Sequence, residues 1–228
     1  IIIEPIPANN GLLIQDPSYL EFLRDITSNN NALLIFDEVI SGFRVGFEGA
    51  AKYYNIRPDI ITYGKIIGGG LPVGAYGSSS DIMKKISPEG DVYQAGTLSG
   101  NPVAMAAGIA QLHACLTPGF YEGLEEKTKM LQRSIMDHVN RKGYKFKLYT
   151  FGSIFWISFS DKENIQSAGD IDLCGMETFN LFYNYLLEHG IYLGPSGYEV
   201  GFVSAAHSNE DIERTAQIMT SALDEVLS

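Results

Sequence analysis

Short apolar runs alternate with amphipathic segments along the first half of the chain. Asp16-Pro17 is typical of a helix N-terminus, with an N-cap side chain followed by proline at the first helical position, and residues 47–55 favour a second, short helix. Helices that alternate with buried apolar strands indicate an α/β fold with a mostly parallel sheet. The predicted strands are residues 1–6, 32–36 and 58–63.

A nearly all-apolar stretch at 103–116, opened by Asn101-Pro102, predicts a helix that is buried on all sides. The Thr-Pro-Gly sequence at 117–119 ends this helix. We therefore predict two domains, residues 1–118 and residues 119–228.

The second half favours an α+β domain. Three amphipathic helices are predicted, with a strand at 152–160 and a hairpin or two short strands within 191–204. Ser208 and Asp211 have the spacing of a capping box before the last helix. The predicted buried positions of the helices are Leu124, Thr128, Leu131, Ile135 and Val139, then Phe179, Phe182 and Leu186, then Ile212, Ala216, Met219 and Leu223.

Composition narrows the classes of function. A net charge of −11 argues against nucleic acid or an anionic membrane as partner. The two cysteines, Cys115 and Cys174, form no disulfide framework, which favours a reducing compartment, and no spacing of His and Cys indicates a metal site. No membrane span or signal peptide is visible. We expect a cytoplasmic protein, or a plastid one in a plant or alga.

Lys65 lies among apolar residues and glycines, with no acidic residue within five positions. It is either a surface lysine in a flexible loop or a lysine that forms a Schiff base. Ligands of parallel sheets bind at the carboxyl ends of the strands, and both Asp37 and Lys65 follow predicted strands, which raises the second interpretation.

Pyridoxal phosphate requires an amine, a carboxylate for its ring nitrogen and an anchor for its phosphate. Lys65 and Asp37 could supply the first two. The Gly-Thr-Leu-Ser-Gly-Asn-Pro sequence at 96–102 could supply the anchor. The alternatives are an ordinary turn residue at 37 and a plain loop with Ser99 or Asn101 as N-cap.

Three motifs together resemble the core of the class III pyridoxal-phosphate aminotransferases. They are FDEV at 36–39, TYGKIIGGGLPVGAY at 62–76 and GTLSGNP at 96–102. The resemblance implies a fold-type I transferase, in which this chain would be the C-terminal half of the large sheet domain and the small C-terminal domain. It also implies a homodimer that shares phosphate contacts across its interface and acts on a small-molecule substrate.

The resemblance implies a role for seven residues. Lys65 matches the lysine that binds pyridoxal 5'-phosphate and moves protons, and the pyridoxamine form of the cofactor is implied too. Asp37 matches the partner of the ring nitrogen. The remaining matches are Val39 on the ring, Gly96 and Thr97 at the neighbouring subunit's phosphate, Asn9 near the ring oxygen and Glu199 near the substrate.

Ile40 stands where ordinary transaminases of the family carry glutamine. This difference favours the aminomutase branch of the family, and so does the sequence GPSGYEVGFVSAAHS at 194–208. Resemblance to that branch implies conversion of glutamate-1-semialdehyde to 5-aminolevulinate, a tetrapyrrole precursor. The alternatives are an aminotransferase that uses an amino donor and a 2-oxo acid, and a non-catalytic binding module. The family's first part has no counterpart before Ile1, so we expect the isolated chain to be inactive or nearly so.

Overall fold

The computed structural model describes all 228 residues. They form two units, which we call the first unit (residues 1–6 and 15–118) and the second unit (residues 7–14 and 119–228). The change of unit after residue 118 is at the predicted domain boundary. Residues 7–14, however, group with the second unit and not with the sequence around them, because their contacts are made with distant residues described below.

The first unit contains a four-stranded sheet in the order β1-β2-β3-β4. The first three strands are parallel neighbours, as predicted, and β4 pairs antiparallel with β3. Its elements are β1 (Ile2–Ile3), α1 (Pro17–Asn29), β2 (Ile35–Glu38), α2 (Gly49–Tyr53), β3 (Ile60–Tyr63), a 3₁₀ turn (Lys65–Gly68), β4 (Ala75–Ser78), α3 (Ser80–Met83) and α4 (Pro102–Cys115).

Helix α1 begins as its sequence predicts, because Asp16 Oδ1 accepts a hydrogen bond from the Ser18 N–H at 2.8 Å. Arg24 of this helix forms an ion pair with Asp59, 3.0 Å between Nη2 and Oδ2. Asp59 also accepts the N–H of Leu34. Although partial burial raises the pKa of Asp59, these bonds lower it overall. The pair therefore fastens α1 to the start of β3.

The second unit consists of a three-stranded antiparallel sheet and three long helices. All twelve predicted helix positions are buried, and Ser208 and Asp211 form the predicted capping box. Its elements are α5 (Phe120–Lys142), β5 (Lys147–Phe151), β6 (Ile154–Ser158), a 3₁₀ turn (Ala168–Asp170), α6 (Gly175–Glu188), β7 (Gly201–Phe202) and α7 (Asn209–Leu227).

Several predicted elements differ from the structure. The strand expected over residues 1–6 is limited to Ile2–Ile3, since Pro5 follows closely and proline cannot donate to a ladder. The hairpin or two short strands expected within 191–204 are not formed, because Gly201–Phe202 is the one strand there and it pairs with β6. Strands β4 and β5 were not predicted; glycine in β4 and lysine in β5 weaken the apolar alternation by which strands are found.

Helix α4 is not buried on all sides, so that prediction is wrong. Only Ala104, Gly108 and Cys115 are buried, whereas Val103 and Ile109 are 66% and 57% exposed. The sequence correctly predicts an apolar helix, but no other part of this chain covers the side of the helix that carries Val103 and Ile109.

No single helix is long and apolar enough to cross a membrane; α4 and α5 satisfy that test only when taken together, on length and composition alone.

Candidate active site

Asp37 is held firmly at the end of β2. Its Oδ1 accepts hydrogen bonds from the Val39 N–H at 3.0 Å and from the Thr62 hydroxyl at 3.2 Å. Thr62 is its neighbour across the parallel strands β2 and β3. Oδ2 of the half-buried carboxylate has no partner, so it remains available as an acceptor for a positively charged donor.

Thr62 belongs to the site although its role was not predicted. The signal for it lies in the strand register, since polar residues at facing positions of neighbouring strands project from the same face. The register between β2 and β3 follows from the fold and cannot be predicted from the local sequence around residue 62.

Lys65 comes two residues after β3 and opens the 3₁₀ turn. Its side chain is exposed and its ammonium group makes no hydrogen bond or ion pair. Its φ angle is +46°, a region that residues other than glycine rarely enter. Strained backbone of this kind is concentrated at functional sites. The exposed side chain alone fits either interpretation of Lys65, but the backbone conformation favours the functional one.

Val39 lies beside the approach to Lys65. A methyl group added at Gly64 would be 3.2 Å from Val39 Cγ1. The structure therefore brings Asp37, Val39 and Thr62 next to the residue that precedes Lys65, all on the first unit.

Glu38 faces the opposite side of the sheet and is fully buried. Its carboxylate accepts hydrogen bonds from the Ala50 N–H (2.6 Å), the Ala51 N–H (2.8 Å) and the Ser41 hydroxyl (3.1 Å). Burial raises the pKa of Glu38, and these hydrogen bonds oppose the rise. Its bonds fix the end of β2 to α2 and thereby fix the backbone on both sides of Asp37.

A cavity of about 650 Å³ in the first unit is not at this site. Its lining includes Ile61 and Tyr63 of β3, which alternate with Thr62 and so face away from Asp37. Cavity size therefore does not identify the side of the sheet that carries the candidate site.

The loop at 96–101 is exposed, and Gly96 and Thr97 are both accessible within it. Asn101 is the N-cap of α4: its Oδ1 accepts the N–H groups of Val103 (3.0 Å) and Ala104 (3.2 Å). Since Pro102 has no N–H, the first turn of α4 offers no free backbone donor there. Asn101 is thus the N-cap, as in one of the alternatives considered for this loop, and the N–H groups that open α4 are all occupied. Phosphate contacts of Gly96 and Thr97 stay a prediction.

Asn9 and Glu199 both belong to the second unit. The Gly11 N–H donates to the Tyr198 carbonyl at 2.7 Å, which joins the segment carrying Asn9 to the loop carrying Glu199. Both side chains are exposed and neither has a bonded partner. A side chain at Gly11 would collide with Trp156, whose indole N–H donates to the Gly197 carbonyl at 2.8 Å.

The family model described as Aminotransferase class-III matches residues 1–223. The chain belongs to this family. It is 47% identical over 216 residues to a glutamate-1-semialdehyde 2,1-aminomutase from Francisella tularensis subsp. tularensis, which covers 94% of this chain and 50% of that protein. The chain thus spans about half the length of the curated relatives it matches.

Solved structures of transaminases have the same fold. An omega-transaminase from Sphaerobacter thermophilus superimposes with a TM-score of 0.91 at 28% identity, covering 100% of this chain and 52% of that one. A structure described as a transaminase with PLP bound gives a TM-score of 0.85 at 30% identity, covering 99% and 52%. The predicted fold-type I architecture of this class III chain is confirmed.

Proposed function

We propose that this chain is part of a pyridoxal-phosphate-dependent aminomutase that converts glutamate-1-semialdehyde to 5-aminolevulinate. The observation that carries the proposal is the position of two residues at the ends of adjacent strands. Lys65 is unbonded and has a strained backbone, and Asp37 is a carboxylate with one free oxygen. Membership of the class III family and relatives of that name at 46–47% identity support the reaction.

The donor set of the first unit fits the cofactor. One oxygen of Asp37 is fixed by Val39 and Thr62 and the other is free, as required of a carboxylate that pairs with a protonated ring nitrogen. When bound, pyridoxal phosphate would supply an aldehyde that joins amines and a ring that withdraws electrons from neighbouring C–H bonds. Val39 would pack on the ring, and the free amine of Lys65 would hold the aldehyde carbon covalently.

Lys65 has a second task in the proposed reaction. Once its amine is released, it can take a proton from one carbon and return it to another, because a neutral amine is a general base and its ammonium form a general acid. The amino group then moves within one substrate, so no external amino acceptor is needed. In this proposal Asn9 lies near the ring oxygen and Glu199 near the substrate.

The proposed assembly is a homodimer in which Gly96 and Thr97 contact the phosphate held by the neighbouring subunit. The exposed loop and the exposed apolar residues of α4, Val103 and Ile109, support this proposal, because large apolar surfaces are typical of interfaces. Sedimentation measurements should give twice the mass of one chain; a monomer at all concentrations would contradict it.

Likeness to transaminases favours a second candidate, an aminotransferase that uses an external amino donor and a 2-oxo acid. The supporting observation is the TM-score of 0.91 to an omega-transaminase. Conversion of the cofactor by an amino donor, followed by its recovery with 2-oxoglutarate, would support this alternative over the aminomutase.

Cofactor attachment tests the proposal directly. The chain is incubated with pyridoxal phosphate, reduced with borohydride and digested, and the modified lysines are mapped by mass spectrometry. We expect the pyridoxyl group at Lys65 in excess over the exposed lysines 84 and 85. Asp37→Asn should reduce that excess, whereas Asp25→Asn, an exposed aspartate of α1, should not. Equal labelling of all exposed lysines would contradict the assignment of Lys65.

A further inference from the structure

The 3₁₀ turn that begins at Lys65 is in backbone-to-backbone contact with α4. A methyl group at Gly108 of α4 would overlap the backbone oxygen of Ile67, and one at Gly69 would overlap the backbone oxygen of Ala107. Gly108 is buried. Two glycines, one on each partner, thus allow two backbones to approach more closely than any side chain permits.

The contact lies next to the strained backbone of the first unit. Lys65 has φ +46°, and Gly69, which ends the turn, has φ +56°. Within the turn, the Ile67 N–H donates to Gly64 and the Gly69 N–H donates to Ile66. An unfavourable φ at a residue with a side chain persists only where its surroundings enforce it. The free Lys65 side chain provides no such constraint, so the constraint comes from the backbone on either side, which includes the turn packed against α4.

We propose that Gly108 and Gly69 are positioning residues, which hold the turn against α4 and so keep Lys65 in its strained conformation. The catalytic importance of that conformation rests on the function proposed above; the mechanical link between Gly108 and the turn does not. A larger residue at 108 would push the turn away from α4 and release Lys65 to an ordinary conformation.

Gly123 of α5 provides a matched control. It is also a glycine inside a helix, but nothing lies within 4 Å of a methyl group added there. Glycine to alanine favours a helix by about 1 kcal/mol at either position, considered in isolation. Any opposite effect at Gly108 therefore reports its contact with the turn.

Hydrogen exchange measures the contact in the chain without cofactor. In Gly108→Ala, we expect amides of residues 64–70 to exchange about tenfold faster, because a collision in a packed site costs enough to shift an equilibrium by this factor. Gly123→Ala should leave these amides unchanged. Should Gly108→Ala fail to fold, Gly69→Ala tests the contact from the other partner. Gly70→Ala is then the control, because Gly70 also has a positive φ (+91°) but nothing within 4 Å of an added methyl group, and Gly69→Ala should speed exchange more than Gly70→Ala. Unchanged exchange at 64–70 in a folded variant overturns the proposal.

Lysine labelling measures the consequence for Lys65. With pyridoxal phosphate and borohydride, we expect Gly108→Ala to lower labelling of Lys65 about tenfold relative to Lys84 and Lys85, and Gly123→Ala to leave the ratio unchanged. Equal ratios in all three proteins, with Lys65 labelled in the unmodified chain, overturn the positioning role. If Lys65 is not labelled in the unmodified chain, the proposed function fails, and the exchange measurement still decides whether Gly108 holds the turn.

Discussion

The two units bury their apolar side chains to different extents. The second unit closes a core of seventeen buried residues between its sheet and its three long helices. The first unit contains sixteen of the twenty-one large apolar side chains that the chain exposes. It also contains three of the candidate site residues, Lys65, Asp37 and Thr97. The comparison shows that the unit with the candidate cofactor-binding residues leaves more of its large apolar side chains exposed than the other unit does.

Two isoleucines on helices provide the largest test of this contrast. Ile135 of α5 is fully buried, whereas Ile109 of α4 is 57% exposed. Ile135→Ala should lower the free energy of unfolding by about 2–5 kcal/mol because it leaves a cavity. Ile109→Ala, measured at concentrations at which the chain is monomeric, should change it by no more than about 0.5 kcal/mol. Urea unfolding followed by circular dichroism measures both. Equal losses would mean that α4 is covered in solution and the contrast is wrong.

Glu38 provides a test of intermediate size, because it is a fully buried acidic residue of the more open unit. In Glu38→Gln, the amide NH₂ group would face an N–H of Ala50 or Ala51 and leave a buried donor without its acceptor. We expect a loss of about 1–3 kcal/mol in the free energy of unfolding. Glu21→Gln, at an exposed position of α1, is the control and should have no effect. A neutral result for both would show that the end of β2 does not depend on this carboxylate.

The smallest expected effect concerns pH and the second unit. Asp224 of α7 accepts hydrogen bonds from His138 (2.9 Å) and the Tyr144 hydroxyl (2.8 Å), which lower its pKa from 3.8 to about 2. A lowered pKa in the folded state stabilises the fold above the unfolded pKa, and this contribution is lost as pH falls from about 4 to about 2.

Trp156 is the only tryptophan and lies buried in the second unit, so its fluorescence follows this loss. The melting temperature of the unmodified chain should fall over that pH range more than that of Asp224→Asn. Asp137→Asn, at an exposed position of α5, should behave like the unmodified chain. If the melting temperatures of all three proteins fall equally with pH, Asp224 does not contribute to the loss of stability in acid.

The same contrast explains which predictions from the sequence are confirmed. Helices α5, α6 and α7 have one apolar face each, and that face is buried within the second unit, so their periodicity predicts their contacts. Helix α4 is apolar all round, and its sequence cannot indicate how much of that surface this chain covers. The strand ends at Asp37 and Lys65 were predictable because apolar runs end there.

Other features of the site depend on contacts between distant residues. The positive φ of Lys65, the approach of Gly108 and the bond from Thr62 to Asp37 arise from packing and strand register. The occupied first turn of α4 depends on the rotamer of Asn101. None of these can be derived from residue spacing alone. The roles assigned to all seven site residues remain predictions; these are Lys65, Asp37, Val39, Gly96, Thr97, Asn9 and Glu199.

Residues 7–14 give the second unit two separate pieces of sequence. A protein engineer who expresses residues 119–228 alone would omit the segment in which Gly11 covers Trp156 and bonds to Tyr198. The indole would then be open to water on that side, and the loop with Glu199 would lose its backbone tether. An isolated second unit with its native contacts therefore needs residues 7–14, either joined to Gly119 by a designed linker or added as a peptide.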